Sequence, residues 1–231
     1  LTASRKKIDL GLLRQPEAIL KTVIFDLDGT LVDTLGDLTD SMNYALASLG
    51  QPVHPESVTK KLIGDGIFTF ASRALKDDQQ HLADEVVKRM REHYRGNCLK
   101  KTSPYPGVKE LIAELKKKGV KVAVLTNKDQ NVARQIVEYY FGKNVFDRVV
   151  GVVDRVPVKP EPAAATKLMA EMGVAKEDCL LVGDSGIDID TAKAAGIRSI
   201  GVSWGFRGRQ ELAEHGADAI IDDPKEILQQ L

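Results

Sequence analysis

The chain is poor in cysteine, with only Cys98 and Cys179 among 231 residues. No close Cys/His spacing accompanies them. That argues against a structural zinc site and a disulfide framework, and it favours a reducing compartment such as the cytoplasm. Charge of one sign is also lacking in excess: Lys plus Arg number 33, and Asp plus Glu number 33. Such a balance carries no electrostatic footprint of a nucleic-acid or membrane partner. No apolar run approaches the ~18 residues of a membrane-spanning helix. At the N-terminus, Arg5-Lys6-Lys7 is followed by Asp9, Arg14, Gln15, Pro16 and Glu17, which is not the pattern of a signal peptide. Internal repeats and low-complexity tracts are absent.

What is present is ordinary for a globular protein: 43% hydrophobic and 29% charged residues. The length allows one large domain or a domain carrying an insert. Short apolar runs suited to buried strands recur at Val23–Phe25, Val120–Leu125, Val149–Val153, Leu180–Val182, Ser199–Val202 and Ala219–Ile221. Most are followed by a polar or Gly-containing turn, several then by a helical pattern. This alternation predicts an α/β fold, a doubly wound, mostly parallel sheet with a Rossmann-like core. Continuous apolar runs fit strands covered on both faces. Lys116-Lys117-Lys118 reads as the solvated last turn of a helix that Gly119 ends.

Between the first two strands the texture changes. Leu38, Met42, Ala45, Leu46 and Leu49 share one helical face, and Leu82, Val86, Met90 and Tyr94 share another. Residues 37–102 are therefore expected to form a small helical domain inserted into a core of residues 21–36 and 103–231. Hinges fall near Thr34–Asp37 and Thr102–Gly107. Residues 1–20 form an extension with no readable role.

The chemistry-bearing residues sit where these strands end. Phe25-Asp26-Leu27-Asp28-Gly29-Thr30 places two carboxylates after the first strand. If the segment is extended, they point the same way. Like charges ~5 Å apart repel by about 3 kcal/mol at an effective dielectric of ~20. Such a pair needs a cation beside it or a proton on one member. The competing reading is a strand followed by a common Asp-Gly turn. Thr126-Asn127 ends the second strand in a hydroxyl and an amide that can hydrogen-bond a phosphate, or simply turn the chain. Lys159 stands before Pro160 and Pro162 as a positioned point charge, or as an ordinary loop lysine. Gly183-Asp184-Ser185-Gly186-Ile187-Asp188 adds two carboxylates, suited to an oxygen-loving cation. Asp188 could instead cap a helix over Ile189–Ala195. Trp204 either walls a pocket or packs the core.

The order Asp-x-Asp-Gly-Thr, Thr, Lys, Gly-Asp-x-x-x-Asp resembles the haloacid dehalogenase-like superfamily of hydrolases across about residues 21–223. Within it, Ile63-Gly64-Asp65-Gly66, Val156–Pro162 and Gly201–Arg207 resemble the phosphoglycolate phosphatase subgroup. Lys193, where many relatives have Arg, and the N-terminal extension depart from that pattern.

The resemblance implies Asp26 as nucleophile, Asp28 as acid and base, and Lys159 as the cation holding nucleophile and phosphate. Thr126 and Asn127 would bind phosphate. Magnesium, or manganese, would sit among Asp26, Asp184, Asp188 and the backbone carbonyl of Asp28. The insert would be a cap, with Gly64, Asp65 and Gly66 closing over the substrate. The implied activity is magnesium-dependent hydrolysis of a small phosphomonoester through an aspartyl-phosphate, with 2-phosphoglycolate as the expected substrate. Dehalogenases of the superfamily lack an acid at the position of Asp28, which favours phosphate-ester hydrolysis. A pyrophosphatase, a sugar-phosphate phosphatase or mutase, and a non-catalytic phosphometabolite-binding protein remain the alternatives. The expected partner is a small phosphorylated metabolite, not nucleic acid or membrane, and the chain is expected to be a monomer or homodimer.

Overall fold

Six parallel strands gather the apolar runs into one sheet, in the order β5-β4-β1-β6-β7-β8. The computed structural model describes residues 20–153 and 159–231. The N-terminal extension through residue 19 and Val156-Pro157-Val158 lie outside the described residues. The sheet strands are β1 (Thr22–Phe25), β4 (Lys121–Asp129), β5 (Arg148–Val152), β6 (Cys179–Gly183), β7 (Arg198–Val202) and β8 (Ala219–Ile221). Each lies where an apolar run predicts it.

Alternation along these strands sends side chains to two faces. Val23, Phe25, Val122, Val124, Leu180 and Val182 join one core cluster. This is packed by α5 (Val108–Lys117) and α6 (Gln130–Phe141). Ile24, Ala123, Leu125 and Leu181 join the other. There they meet α7 (Pro162–Met172) and α8 (Gly186–Ala195). Burial on both faces is why the strands read as unbroken apolar runs. The last core helix, α9, spans Arg209–Glu214. No helix among the described residues is long and apolar enough to cross a membrane.

Between β1 and β4 the chain is helical: α1 (Leu35–Ala47), α2 (Glu56–Leu62), α3 (Ile67–Ala74), a 3-10 turn over Asp77–Leu82, and α4 (Ala83–Asn97). Leu38, Met42, Ala45 and Leu46 of α1 and Val86, Met90 and Tyr94 of α4 are buried. The two ends of this insert are tied together. The short strands β2 (Val32–Asp33) and β3 (Ser103–Pro104) pair antiparallel. Beside them the buried Asp37 carboxylate accepts from the backbone N–H groups of Lys101 and Thr102 and from the Thr102 hydroxyl.

Candidate active site

β4, β1 and β6 are neighbours, so the groups at their carboxyl ends converge in the crevice where open α/β sheets place ligands. Asp26 follows β1 directly, and its backbone N–H donates to Val182 O on β6 at 2.8 Å. Asp184 follows β6. Lys159 lies after β5, with its side chain only 3% exposed. Its Nζ is 2.8 Å from Asp26 Oδ1 and 2.6 Å from Asp188 Oδ1. Burial works against the Lys159 charge, but Asp188 and Asp26 outweigh it and raise the ammonium above its ordinary value.

Asp184, Asp188 and Asp26 form a buried cluster whose ligand oxygens lie within 4.8 Å of one another. Asp184 Oδ2 accepts from the Phe206 N–H at 2.6 Å. Asp188 Oδ2 accepts from Ser185 N and Oγ at 3.1 and 2.7 Å. Glycine allows this crowding. A Cβ on Gly29 (φ 84°) would sit 2.3 Å from Asp184 Oδ2, and one on Gly183 would sit 2.1 Å from Asp188 Cγ.

The donor set fits a divalent, oxygen-preferring cation. One lysine faces three carboxylates, leaving two negative charges when all are ionised. Asp26 Oδ1 touches Lys159, yet it is buried and accepts no directed hydrogen bond. Burial raises Asp26 to about 7 against the opposing Lys159 charge, with Asp188 and Asp28 adding to the rise. Burial, then Asp188 and Asp26, also hold Asp184 well above the carboxylate range. Both are carboxyls that a bound cation would ionise.

A pH dependence follows. Between the ordinary carboxylate value of 3.8 and about 7, the folded metal-free chain holds a proton on Asp26 that the unfolded chain has lost. Its stability therefore falls as pH rises through that window, by up to about 1.4 kcal/mol per pH unit for each such proton. Magnesium should reverse this fall, so the melting-temperature gap between magnesium and chelator should widen from pH 5 to 8. Thermal melts across that range check it, and a gap independent of pH would contradict it.

The Asp28 carboxylate departs from expectation. β1 ends at Phe25, so Asp26-Leu27-Asp28 lies beyond the strand, with a bend at Leu27 and a bridge from Asp28 to Val32, and strand alternation does not govern it. Asp28 swings away from Asp26 to a second cation, Lys128, whose Nζ lies 2.9 and 2.8 Å from its two oxygens. Thr34 Oγ1 adds a hydrogen bond at 2.8 Å. Repulsion between the two acids is thus relieved by a separate lysine for each. The Asp28 side chain is not part of the carboxylate cluster, which leaves only its backbone carbonyl for a metal.

Lys128 is the residue that sequence reasoning missed. β4 does not end at Leu125 but continues through a bulge to Asp129, keeping residues 126–128 buried. The only available signal was its place beside Thr126 and Asn127.

Other expectations need correction. Asn127 is bound to the main chain of Lys159: Nδ2 donates to Lys159 O at 2.9 Å and Oδ1 accepts from Lys159 N at 2.9 Å. Its amide also reaches Gly64 O of the insert at 3.3 Å. It therefore positions the lysine. α8 starts at Gly186, so Asp188 lies in its first turn, where it answers Ser185 and Lys159 together. Asp65 turns to an ion pair with Arg73 on α3 and does not line the main cleft, whereas Gly64 and Gly66 do. Trp204 packs against the core with its indole N–H on Thr30 O at 3.1 Å, so the cleft wall falls to Phe206 and Arg207. Thr126 is buried at the cleft floor, inside β4 rather than at its end.

Above this floor a cleft opens between core and insert. The insert supplies its roof, including Leu38, Ile63, Phe70, Met90, Arg91 and Tyr94. Arg207 reaches up from the core and donates to the carbonyls of Lys61 and Ile63.

A family model described as haloacid dehalogenase-like hydrolase matches residues 23–202. The chain is 36% identical over 214 residues to a phosphoglycolate phosphatase of Rhodospirillum rubrum, covering 88% of this chain and 87% of that protein. A crystal structure from Haemophilus somnus, described as a predicted phosphoglycolate phosphatase, superposes with TM-score 0.83 at 31% identity, covering 91% and 97% of the two chains. CbbY from Rhodobacter sphaeroides, solved with xylulose 1,5-bisphosphate, superposes with TM-score 0.76 at 26% identity, covering 90% and 96%. The chain belongs to the haloacid dehalogenase-like hydrolases.

Proposed function

We propose that this protein is a metal-dependent phosphatase that hydrolyses 2-phosphoglycolate through a phosphorylated Asp26. The observation that carries the reading is the division of labour between the two motif acids. Asp26 lies against Lys159 in the carboxylate cluster, and Asp28 is held apart by Lys128 and Thr34.

An Asp26 oxygen forms a bond to phosphorus as the ester P–O bond breaks. Asp28 gives a proton to the departing alkoxide. It then takes one from the water that attacks phosphorus and releases Asp26. Thr126 holds a phosphoryl oxygen, and Lys159, fixed by Asn127, balances the charge on nucleophile and phosphate. Magnesium, or manganese, held by Asp26, Asp184, Asp188 and the Asp28 carbonyl, would add positive charge against the phosphoryl oxygens. The helical insert acts as a cap, with the Gly64–Gly66 loop at its mouth; Arg207 and Asn127 hold that loop down.

The name of the substrate comes from relatives such as the Rhodospirillum rubrum phosphoglycolate phosphatase. A sugar bisphosphate is the second reading, favoured by the ligand bound to the Rhodobacter CbbY structure. Phosphate release from 2-phosphoglycolate, xylulose 1,5-bisphosphate, pyrophosphate and ethyl phosphate, with magnesium and with chelator, tests both. The expected result is metal-dependent release favouring 2-phosphoglycolate by at least ~10-fold in kcat/KM. Preference for another ester keeps the chemistry and replaces the substrate. No release from folded, magnesium-loaded protein would leave a binding protein.

A further inference from the structure

We infer that Arg91, one helical turn from Tyr94 on α4, is the residue that recognises the substrate carboxylate and so selects a phosphorylated short-chain acid. The inference rests on the phosphatase reading above and assigns the non-phosphate end of the substrate.

Three of the five cations lining the cleft are committed elsewhere. Lys159 is bound to Asp26 and Asp188, and Lys128 to Asp28. Arg207 donates to two carbonyls of the insert, and Arg95 is exposed. Arg91 lines the cleft, yet its Nε is shut off from solvent and has no hydrogen-bond acceptor among the described residues. The neighbouring Arg89 shows the contrast, with Glu85 and Ser48 as partners. A guanidinium keeps its charge at any working pH, and no ion pair or hydrogen bond holds this one among the described residues, so the part of it that lines the cleft is open to a ligand oxygen. Tyr94 lies beside it with Lys128 Nζ 4.7 Å from its ring centre, and its buried hydroxyl has no acceptor for its proton among the described residues. Residues three apart share a helix face, so both groups present to the same space.

A carboxylate suits this pair. The planar fork of Arg takes two oxygens of one anion, and a phenol can donate to the same group. Apart from the backbone of Gly64 and Gly66 and the exposed Arg95, the remaining cap wall is Leu38, Ile63, Ile67, Phe70 and Met90. The hydroxyls of a sugar chain would lose water against those side chains and gain no partner from them. A short acid has an anionic group at each end and nothing polar between them that needs a partner.

The test is steady-state kinetics of the full chain with magnesium, comparing 2-phosphoglycolate with ethyl phosphate, which lacks the carboxylate. Arg91→Gln should lower kcat/KM on 2-phosphoglycolate by about 100-fold and leave ethyl phosphate within about twofold. Arg91→Lys, which keeps the charge without the fork, should lose about 10-fold, and Tyr94→Phe about 5-fold, on the acid alone. Turnover of ethyl phosphate reports in the same assay that each variant is folded. Equal loss on both esters in Arg91→Gln and Arg91→Lys alike, or an undiminished preference in Arg91→Gln, overturns the assignment and leaves the substrate reading standing. A wild-type enzyme without preference for 2-phosphoglycolate overturns the substrate reading and this assignment with it. A wild-type preference for xylulose 1,5-bisphosphate that Arg91→Gln removes would assign Arg91 to a second phosphate instead.

Discussion

Asp26→Asn should abolish phosphate release, with kcat falling by at least ~10⁴-fold, while the chain stays folded. An amide oxygen is a far poorer nucleophile than a carboxylate, and a loss of that size corresponds to roughly 5.5 kcal/mol of barrier. The substitution preserves shape inside a close-packed site. It also removes one of three buried acids that share a single lysine. Burial already raises Asp26 to about 7, so its ionised form is unfavourable in the metal-free chain. The Asp26→Asn variant should therefore melt in chelator at or above the wild-type temperature at pH 8, even though it is inactive. Acid-quenched mass spectrometry supplies the second readout: wild-type protein should carry a phosphoryl adduct and the variant none. Undiminished turnover, in a preparation shown by mass to be free of deamidated protein, would remove Asp26 from the chemistry.

Lys159→Met has the next largest effect and differs in kind, because it costs stability as well as rate. The side chain is 3% exposed and sits between Asp26 and Asp188 at 2.8 and 2.6 Å. Removing one partner of a buried ion pair leaves charge without compensation, typically about 3–5 kcal/mol. Methionine fills much of the lysine stem's volume, so the loss would come from charge more than from a cavity. Urea unfolding in chelator should show that loss. Magnesium should restore part of the stability, since it supplies positive charge to the same carboxylates, but it should not restore turnover, because the ammonium beside the nucleophile is gone. A variant as stable as wild type in chelator would mean that Asp26 and Asp188 take up protons freely, with Lys159 contributing little to the fold.

The two substitutions should separate the uses of one cluster: under the proposed chemistry, Asp26 would matter to the reaction more than to the fold, and Lys159 to both. Asn127 extends the second case, since it grips Lys159 by both backbone polar groups and reaches Gly64 of the insert. The ammonium paired with Asp26 is thus held by a residue that also touches the roof of the cleft.

The positions of Asp26 and Asp184 directly after their strands were legible in the amino-acid order, whereas Thr126, read as a strand end, lies inside β4. A strand buried on both faces must be a continuous apolar run, and the polar residue that ends it marks the edge of the sheet. The helical texture of residues 38–94 was legible for a similar reason, since 3.6-residue spacing is a local property. Asp188 was half legible: its spacing from Asp184 suggested a metal ligand and its neighbours suggested a cap, and the side chain bonds to Ser185 while also meeting Lys159. The separation of Asp28 from Asp26 was not legible. It depends on a bend at Leu27 beyond the strand and on a lysine 100 residues away that a bulge keeps inside β4. Arg91 and Arg207 were hidden in the same way. Arg91 is an ordinary charged residue of an amphipathic helix until the roof closes around its Nε, and Arg207 acquires a role only when the carbonyls of Lys61 and Ile63 come within reach. Amino-acid order alone settled which elements form and which acids stand at their ends, because those depend on neighbours a few residues apart. Folding in three dimensions settled which cation meets which acid and which is left without a partner, because those pairings depend on the packing of segments distant in the chain.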